Sequence, residues 1–201
     1  MSGVRVEAVR GDAIDAASLE AVARLRIAVF REWPYLYDGD AAYEAQYLST
    51  YTRSPRSVFV LARDGDAIVG ASTGLPLADE EPGFRAPFLD QGLDVDAVFY
   101  CGESVLLPAH RGRGLGHAFF DMREAHARAL GGFRWTAFAA VDRDADDPRR
   151  PPGHRGNDAF WSRRGYVRRP GMTMRLAWKE LGEARESAKP LTFWLRSLEP
   201  A

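Results

Sequence analysis

The stretch Glu103-Ser-Val-Leu-Leu-Pro-Ala-His-Arg-Gly-Arg-Gly-Leu-Gly-His117 decides the fold. It begins as an apolar run that ends at Pro108, continues as a turn rich in glycine and arginine, and leads into a helical pattern up to about Leu130. The first amides of a helix have no partner inside the helix, and glycines let a backbone approach an anion closely. The stretch therefore predicts a strand, a phosphate-binding turn and a helix N-terminus.

The composition fits a single domain over residues 1–201. Of the 201 residues, 46% are hydrophobic and 27% are charged, which is enough for a substantial core. The net charge of -1 gives no global basic field, so we expect no nucleic-acid partner. Only Lys179 and Lys189 are lysines among the 27 basic residues, and arginine therefore supplies most cationic contacts.

The N-terminus and the single cysteine indicate the compartment. Cys101 is the only cysteine, which excludes an intramolecular disulfide and a cysteine-rich zinc site. The N-terminal sequence has no signal-peptide core, and no apolar run approaches the ~20 residues of a membrane helix. We therefore expect a cytoplasmic protein that does not enter the membrane.

Hydrophobic periodicity predicts seven strands and four helices. The Asp64-Gly65-Asp66 turn between two β-like runs is a strong hairpin signal. The predicted strands are 3–10, 57–63, 67–75, 98–107, 133–141, 173–180 and 191–198, and the predicted helices are about 15–32, 41–53, 115–130 and 158–164. Residues 76–95, with one short helical turn, and 142–156 are expected to be irregular. This order predicts an α/β (α+β) fold with one mixed sheet and helices on both faces.

The glycine turn can be compared with known phosphate-binding patterns. A Walker loop needs G-x-x-x-x-G-K-[ST], and the turn has no lysine. A dinucleotide fingerprint needs G-x-G-x-x-G, and the glycine that follows Gly112 and Gly114, Gly116, comes one position early. The spacing that fits is R-x-x-G-x-G, beginning at Arg111. The turn therefore disfavours nucleoside triphosphates and dinucleotides as first choices.

Two segments resemble the GNAT superfamily of N-acetyltransferases. The first is Val105-Leu-Leu-Pro-Ala-His-Arg-Gly-Arg-Gly-Leu-Gly116. The second, Asn157-Asp-Ala-Phe-Trp-Ser-Arg-Arg-Gly-Tyr166, is similar to the family's short helix that ends in a glycine and an aromatic residue. The predicted element order also looks like the GNAT layout over roughly residues 3–198, although the motifs cover only about 25 residues.

The resemblance implies a mostly antiparallel GNAT-like sheet of about seven strands with about four helices, and acetyl-CoA as co-substrate. The CoA pyrophosphate would bind backbone amides of 112–117, and the pantetheine arm would hydrogen-bond along the splayed edge of strand 98–107. The implied cofactor-binding residues are Leu106, Leu107, Arg111, Gly112, Arg113, Gly114, Leu115, Gly116, His117 and Asn157.

Acetyl transfer from a thioester to an amine needs a base, donors for the oxyanion and a leaving thiolate, but no metal. Glu103 is the candidate base, because a carboxylate inside an apolar strand is costly unless it is paired or functional. Strand alternation groups it with Phe99 and Cys101, where it would be a structural carboxylate unless a bulge intervenes. Bases in the family often lie one residue earlier, at Gly102 here. A backbone amide near Leu106 can hold the oxyanion.

The general acid is not supplied by the residue that many relatives use. Many relatives place a tyrosine four residues before the helix-ending glycine, and Trp161 occupies that position here. Tyr166, Tyr100 or water can replace it, and Tyr166 is our candidate. Trp161 is expected to form a wall beside the pantetheine. The four histidines show no metal-ligand spacing, so no metal is predicted.

The sequence does not distinguish between a small-molecule amine and a peptide amine as the acceptor. Trp33, Tyr35 and Tyr37 lie in an aromatic loop that either lines a pocket or plugs the core, and Asp142 begins an acidic loop that can attract a cationic amine. The last strand carries Phe193 and Trp194, which either form a homodimer contact or close the sheet.

Three functions remain in competition. The first is an acetyl-CoA-dependent N-acetyltransferase that acts by direct attack in a ternary complex. The second is a CoA-binding regulatory protein without catalysis, which is motivated by Trp161 and by the strand register of Glu103. The third is an unrelated nucleotide-phosphate module, for which ATP or NAD rather than CoA would protect against thermal unfolding.

Overall fold

A computed structural model of the protein describes residues 3–199. The strands are β1 (Arg5–Arg10), β2 (Val58–Asp64), β3 (Ala67–Pro76), β4 (Val98–Leu106), β5 (Trp135–Val141), β6 (Val167–Trp178) and β7 (Ser187–Ser197). The helices are α1 (Ala16–Phe30), α2 (Ala41–Arg53), α3 (Pro82–Leu89), α4 (Leu115–Leu130) and α5 (Asp158–Arg163). Within 3–199 no helix combines the length and the apolar run that a membrane crossing requires.

The seven strands form one sheet in the order β1-β2-β3-β4-β5-β7-β6. Strands β4 and β5 pair in parallel, and the other five neighbouring pairs are antiparallel. The predicted mixed, mostly antiparallel sheet of seven strands is therefore confirmed. The Asp64–Ala67 hairpin between β2 and β3 also lies where the Asp-Gly signal predicts it.

Hydrophobic cores lie on both faces of the sheet. One core contains Val22 of α1, Leu48 of α2 and Phe88 of α3, packed against alternate residues of the strands. The other contains Phe119 of α4 with Phe160 of α5 at its margin. Because each strand exposes successive side chains to opposite faces, both cores draw on the same strands. Two helical layers consequently enclose the sheet, as predicted.

The structure differs from the predicted elements in three details. Residues 82–89, where one short helical turn is expected, form a two-turn helix, α3, so five α-helices lie within 3–199 where about four helices are predicted. Pro82 sits in its first turn, where a missing amide is tolerated, and Phe84 and Phe88 bury one face. Strand β6 begins at 167 rather than 173, because a register shift accommodates Pro170 and Gly171. Strand β7 begins at 187 rather than 191.

The expected dimer contact is not available at Phe193 and Trp194. Strand β7 lies between β5 and β6, and these two side chains are only 0% and 5% exposed. They pack into the cores on the two faces of the sheet, where the Trp194 ring stacks on Phe138. Phe193 and Trp194 therefore close the sheet, which is the second of the two predicted alternatives, and do not form a dimer contact.

Candidate functional site

A cleft opens where strands β4 and β5 separate. The two strands pair only from Val98 to Tyr100 on β4, opposite Trp135 to Ala137 on β5. Beyond these three pairs the strands diverge and border a cleft of about 740 Å³. Cys101 to Ser104 and Leu106 line it from β4, and Phe138 to Val141 line it from β5. The split leaves backbone groups of β4 available to a ligand.

The glycine turn lies at one end of this cleft. Gly112 and Gly114 have φ angles of +75° and +81°, in the left-handed region that favours glycine. Gly114 is the N-cap of α4, and no side chain caps this helix end. A Cβ atom on either glycine would meet no atom within 4 Å. The N-terminus of α4 therefore offers open space and uncapped amides to an anion, which fits a pyrophosphate.

The predicted cofactor residues divide into two groups. Leu106, Arg111, Gly116 and Asn157 line the cleft. Leu107, Gly112, Arg113, Gly114, Leu115 and His117 continue the same turn outside that lining. The amide of Leu107 donates to Val69 at 2.9 Å and its carbonyl accepts from the amide of His110 at 2.9 Å. Hydrogen bonds predicted at Leu107 are thus already made within the protein.

Two side chains of the turn hold neighbouring elements. The guanidinium of Arg111 donates to the Leu106 carbonyl at 3.1 Å and to Glu32 at 2.9 Å, which links the turn to the segment after α1. His117 lies 3.2 Å from the guanidinium of Arg164 and its ring contacts Phe160. These contacts fix the turn against Glu32, which follows α1, and against α5 on either side of the cleft.

A β-bulge decides where Glu103 points. Ser104 pairs with Ser72 and Cys101 pairs with Gly74, so both Gly102 and Glu103 lie opposite Thr73. The extra residue reverses the alternation, and Glu103 shares a face with Tyr100 instead of Cys101. The prediction for Glu103 depends on whether a bulge intervenes, and the structure contains that bulge, so strict strand alternation does not apply.

Two side chains fix the bulge by hydrogen bonds to the Glu103 carbonyl. The guanidinium of Arg123 donates to this oxygen at 2.9 Å, and the hydroxyl of Ser72 donates at 2.7 Å. Arg123 is 2% exposed and Ser72 is fully buried. A carbonyl displaced from the ladder by the bulge thus finds partners in the core rather than water.

The Glu103 carboxylate belongs to a buried charged cluster with Arg26 and Glu44. A guanidinium nitrogen of Arg26 lies 2.6 Å from Glu103 and another pairs with Glu44, while the Tyr47 hydroxyl donates to Glu103 at 3.2 Å. Burial raises the pKa of Glu44, and the Arg26 charge opposes this shift. Two carboxylates facing one guanidinium leave one negative charge uncompensated when both are ionised.

An inner cavity of about 60 Å³ adjoins the cleft at Glu103. Its walls are mainly aromatic, with Glu44 and Glu103 as its acidic members and Arg26 as its cation. One carboxylate oxygen of each acid is buried without a hydrogen-bond partner among residues 3–199. The aromatic members are Phe30, Tyr35, Tyr37, Tyr43, Tyr47, Phe84, Tyr100 and Trp178. Aromatic faces and unpartnered carboxylate oxygens together suit a cationic group.

The predicted acceptor residues lie in different compartments. Trp33, Tyr35 and Asp142 line the large cleft. Tyr37 lines the inner cavity but not the cleft. Asp142 accepts from Arg168 at 2.6 Å and from Thr192 at 2.7 Å, so it also ties the loop to β6 and β7. The aromatic loop therefore both lines a pocket and packs on the core, and the two alternatives coexist.

The structure does not bring Tyr166 to the cleft. Its hydroxyl bonds to Thr136 at 2.8 Å and to Glu124 at 3.2 Å, inside the core on the face opposite Glu103. Burial raises the pKa of Tyr166 well above its usual value. Trp161 does line the cleft, with its ring 4.9 Å from Phe138. These positions favour a structural role for Tyr166 and a wall for Trp161.

Sequence reasoning missed Arg26, Glu44, Tyr47 and Arg123. Arg26 lies on the buried face of α1, between Val22 and Phe30 at helical spacing, and Glu44 lies one turn before Leu48 on α2. A charged residue on an apolar helix face was the available signal. The residues that pair with such a buried charge could not be read from the sequence.

Comparison with known proteins agrees with this geometry. Residues 22–150 match the model of the acetyltransferase (GNAT) family. No curated protein sequence matches the chain significantly. The structure of yncA from Salmonella typhimurium with its cofactor acetyl-CoA has a TM-score of 0.59 and 15% identity, covering 100% of this chain and 96% of that one.

Two further solved structures show the same fold. An N-acetyltransferase from Staphylococcus aureus Mu50 has a TM-score of 0.62 at 11% identity, covering 98% of this chain and 100% of its own. A ribosomal-protein-alanine N-acetyltransferase from Brucella melitensis has a TM-score of 0.60 at 14% identity, covering 96% and 99%. Since the family model matches more than half of the sequence, the chain belongs to the GNAT family of acetyltransferases.

Proposed function

We propose that the protein transfers the acetyl group of acetyl-CoA to a primary amine of a small molecule or peptide, by direct attack in a ternary complex. The observation that supports this most is the split between β4 and β5, which ends at the uncapped N-terminus of α4. Acetyl-CoA supplies an activated thioester carbonyl. The amides of the glycine turn would hold its pyrophosphate, and the free edge of β4 up to Leu106 would hold its pantetheine arm.

Glu103 is the proposed base. It lines both the large cleft and the inner cavity, so an amine entering from either space reaches its carboxylate. The carboxylate is positioned by Arg26 and Tyr47, and the bulge is fixed from behind by Arg123. A positioned carboxylate that takes a proton from the ammonium supplies the neutral amine that attack requires. A backbone amide near Leu106 is the proposed oxyanion donor.

The inner cavity supports an amine as the acceptor. Its acidic cluster retains one negative charge when Glu44 and Glu103 are ionised, and its walls are aromatic. A cation is attracted both by the uncompensated charge and by the ring faces. The cavity admits only the amine and a few attached carbons, and the remainder of an acceptor would extend into the cleft.

The leaving thiolate needs no dedicated side-chain acid in this proposal. Tyr166 is directed away from the cleft, and Trp161 stands where many relatives carry a tyrosine. We therefore propose water as the proton donor to the thiolate, in place of Tyr166.

The test is acetyl-CoA turnover with a panel of amines, read as released CoA thiol. Cys101 will not interfere with a thiol reagent, since it is buried and burial raises its pKa. We expect turnover with at least one amine, and a loss of about 100-fold in kcat for Glu103→Gln with acetyl-CoA affinity unchanged. Tight CoA binding with no turnover on any amine would instead support the regulatory CoA-binding protein.

A further inference from the structure

We propose that Tyr47, Tyr51 and Glu80 form a proton relay that carries the proton accepted by Glu103 away from the cleft. The inference rests on the proposed function in one respect, since it takes Glu103 as the base. It adds three positioning residues, none of which needs to contact the acceptor's reacting nitrogen.

The relay is a continuous chain of hydrogen-bonding oxygens. The Tyr47 hydroxyl lies 3.2 Å from Oε2 of Glu103, and it lies 3.1 Å from the Tyr51 hydroxyl. The Tyr51 hydroxyl lies 3.1 Å from Oε1 of Glu80. Tyr47 and Tyr51 are four residues apart on α2, so one helix face presents both hydroxyls in line. Tyr51 is fully buried, and Glu80 and Glu103 are 5% and 7% exposed.

Counting hydrogens shows that the chain has room for one additional proton. Three oxygen–oxygen contacts join four groups, and the two tyrosines provide only two hydroxyl hydrogens. With both carboxylates ionised, Tyr47 donates to Glu103 and Tyr51 donates to Glu80, which leaves no hydrogen between the two tyrosine oxygens. When either carboxylate carries a third hydrogen, each of the three oxygen–oxygen contacts contains one hydrogen. The chain can therefore hold the proton at the Glu103 end or at the Glu80 end.

The reaction produces the proton that the relay would carry. An ammonium and a thioester give an amide, a thiol and one proton in excess. Glu103 takes this proton from the ammonium, passes it to the Tyr47 oxygen, and is restored as a carboxylate. Tyr47 passes its own hydrogen to Tyr51, and Tyr51 passes its own to the Glu80 carboxylate. Each oxygen that loses one O–H bond gains another, except that Glu80 ends protonated and then releases the proton to water.

Glu80 is suited to the end of such a chain. Burial raises the pKa of this carboxyl to about 7, against the opposing hydrogen bonds from the Glu81 amide and from Tyr51. Burial also raises the pKa values of Tyr47 and Tyr51 well above their usual range, so both remain hydroxyls that can donate. The relay therefore works by hopping of hydroxyl hydrogens rather than through tyrosinates.

Other charged groups surround the two ends of the chain. Asp79, beside Glu80, accepts from Ser54 and pairs with Arg56 at 3.6 Å. Glu81 raises the pKa of Glu80 through its charge, and Arg26 with Glu44 completes the surroundings of Glu103. Tyr100 approaches the chain from β4. Among the residues that face Glu80, Tyr51 is the one that connects it to the cleft.

The test removes the hydrogen-bonding group in the middle of the relay, at Tyr51, and the carboxylate at its end, at Glu80. In Tyr51→Phe and Glu80→Gln we expect kcat to fall about tenfold at pH 8, with KM for the amine unchanged. At pH 6, where Glu80 is already protonated in the wild type, we expect the variants and the wild type to differ little. Thr52→Val removes a neighbouring α2 hydroxyl that donates to the Ser49 carbonyl outside the relay, and it should match the wild type at both pH values. Loss by the same factor at pH 6 and pH 8, or no loss, overturns the relay.

A second measurement does not depend on turnover. Infrared titration of the carboxylic acid C=O band between pH 5 and 9 should show an acid that deprotonates near pH 7. This signal should vanish in Glu80→Gln and change in both Tyr51→Phe and Glu103→Gln, because the chain couples its two ends. If Glu103→Gln leaves the band unchanged, the ends are not coupled and the relay is wrong, even in an active acetyltransferase. If the band behaves as expected without turnover on any amine, the proposed function fails while the chain stands.

Discussion

The hydroxyl of Tyr51 lies directly beneath Gly102: a methyl group on this glycine would stand 2.0 Å from that oxygen and 2.7 Å from Oγ1 of Thr73. Such distances are too short for real atoms, so the absence of a side chain at Gly102 makes room for Tyr51. Gly102, the residue before the proposed base, therefore forms part of the bulge and also leaves space for the Tyr51 hydroxyl.

Gly102→Ala is therefore expected to displace Tyr51 and to lower stability by about 1–3 kcal/mol, as other overpacked core sites do. It should also reduce kcat, because the hydroxyl chain starts from the carboxylate of the next residue. Urea unfolding and steady-state kinetics measure the two effects. Gly171→Ala is the matched control, since it is a strand glycine whose added methyl group meets no atom within 4 Å. Equal stability of the two variants would contradict the packing argument.

A second prediction separates cofactor binding from backbone strain. Gly114 and Gly132 have nearly equal φ angles, +81° and +82°, and a Cβ on either would meet no atom within 4 Å. Alanine at each should cost stability similarly, about 1 kcal/mol. Gly114 precedes α4, whereas Gly132 follows it, at the far end from the proposed pyrophosphate site.

Only Gly114→Ala should weaken acetyl-CoA binding, by about tenfold, because its methyl group occupies the space in front of the helix amides. Isothermal titration calorimetry gives the affinity and thermal unfolding gives the stability. Equal affinities in the two variants would place the pyrophosphate elsewhere.

A third prediction concerns the buried charged cluster. Arg26→Met leaves Glu44 and Glu103 together without their guanidinium, and the loss of one member of a buried ion pair typically costs about 3–5 kcal/mol. Adding Glu44→Gln should recover part of that loss, because it removes one of the two carboxylates. Urea unfolding of the wild type, both single variants and the double variant gives the coupling free energy.

Arg24→Met provides the comparison for the same helix. Arg24 is exposed and pairs with Glu20 within α1, so its replacement should change stability little. If Arg26→Met and Glu44→Gln proved simply additive, the cluster would not be coupled as the contacts indicate.

A fourth prediction follows from the raised pKa of Glu80. A carboxyl whose pKa rises from 4.5 to about 7 on folding binds its proton more tightly in the folded state. Its contribution to the free energy of unfolding is therefore full below about pH 4.5 and is lost as pH rises to about 7. Glu80→Gln lacks this dependence.

The stability of the wild type relative to Glu80→Gln should consequently fall between pH 5 and pH 8, by up to roughly 3 kcal/mol. Urea unfolding at four pH values compares the two proteins, and the titrating groups outside the hydroxyl chain cancel because both proteins share them. Parallel stability curves over this range would show that Glu80 ionises as readily folded as unfolded.

The sheet and the glycine turn could be predicted because their signals are local. Asp64-Gly65 marks a hairpin, and Gly112 and Gly114 adopt the positive φ angles for which glycine is suited. The sequence predicts only one short helical turn where α3 forms two, because Pro82, Gly83 and Pro87 are typical of loops, while the burial of Phe84 and Phe88 outweighs that preference. A local sequence pattern does not predict a helix whose formation depends on burial against residues distant in the sequence.

The candidate site depended more on distant contacts. The bulge at Glu103 requires Arg123 of α4 and Ser72 of β3, which are far from it in sequence. The pairing of Arg26 with Glu44 and Glu103 joins three elements, and periodicity, which places Arg26 on the buried face of α1, does not say which carboxylates it meets. The direction of Glu103 and the burial of Tyr166 could therefore not be read from the chain alone.

The three residue pairs that join β4 to β5 have a mechanical consequence. Strands β1 to β4 and strands β5 to β7 are two half-sheets that share a short seam at one end and face each other across an internal gap. Each half-sheet presents a strand edge inside the molecule, where edges of other proteins are paired or covered. An extended ligand with amide groups can bridge these edges as a missing strand would. Binding would then stiffen the whole sheet, so that occupancy and rigidity rise together.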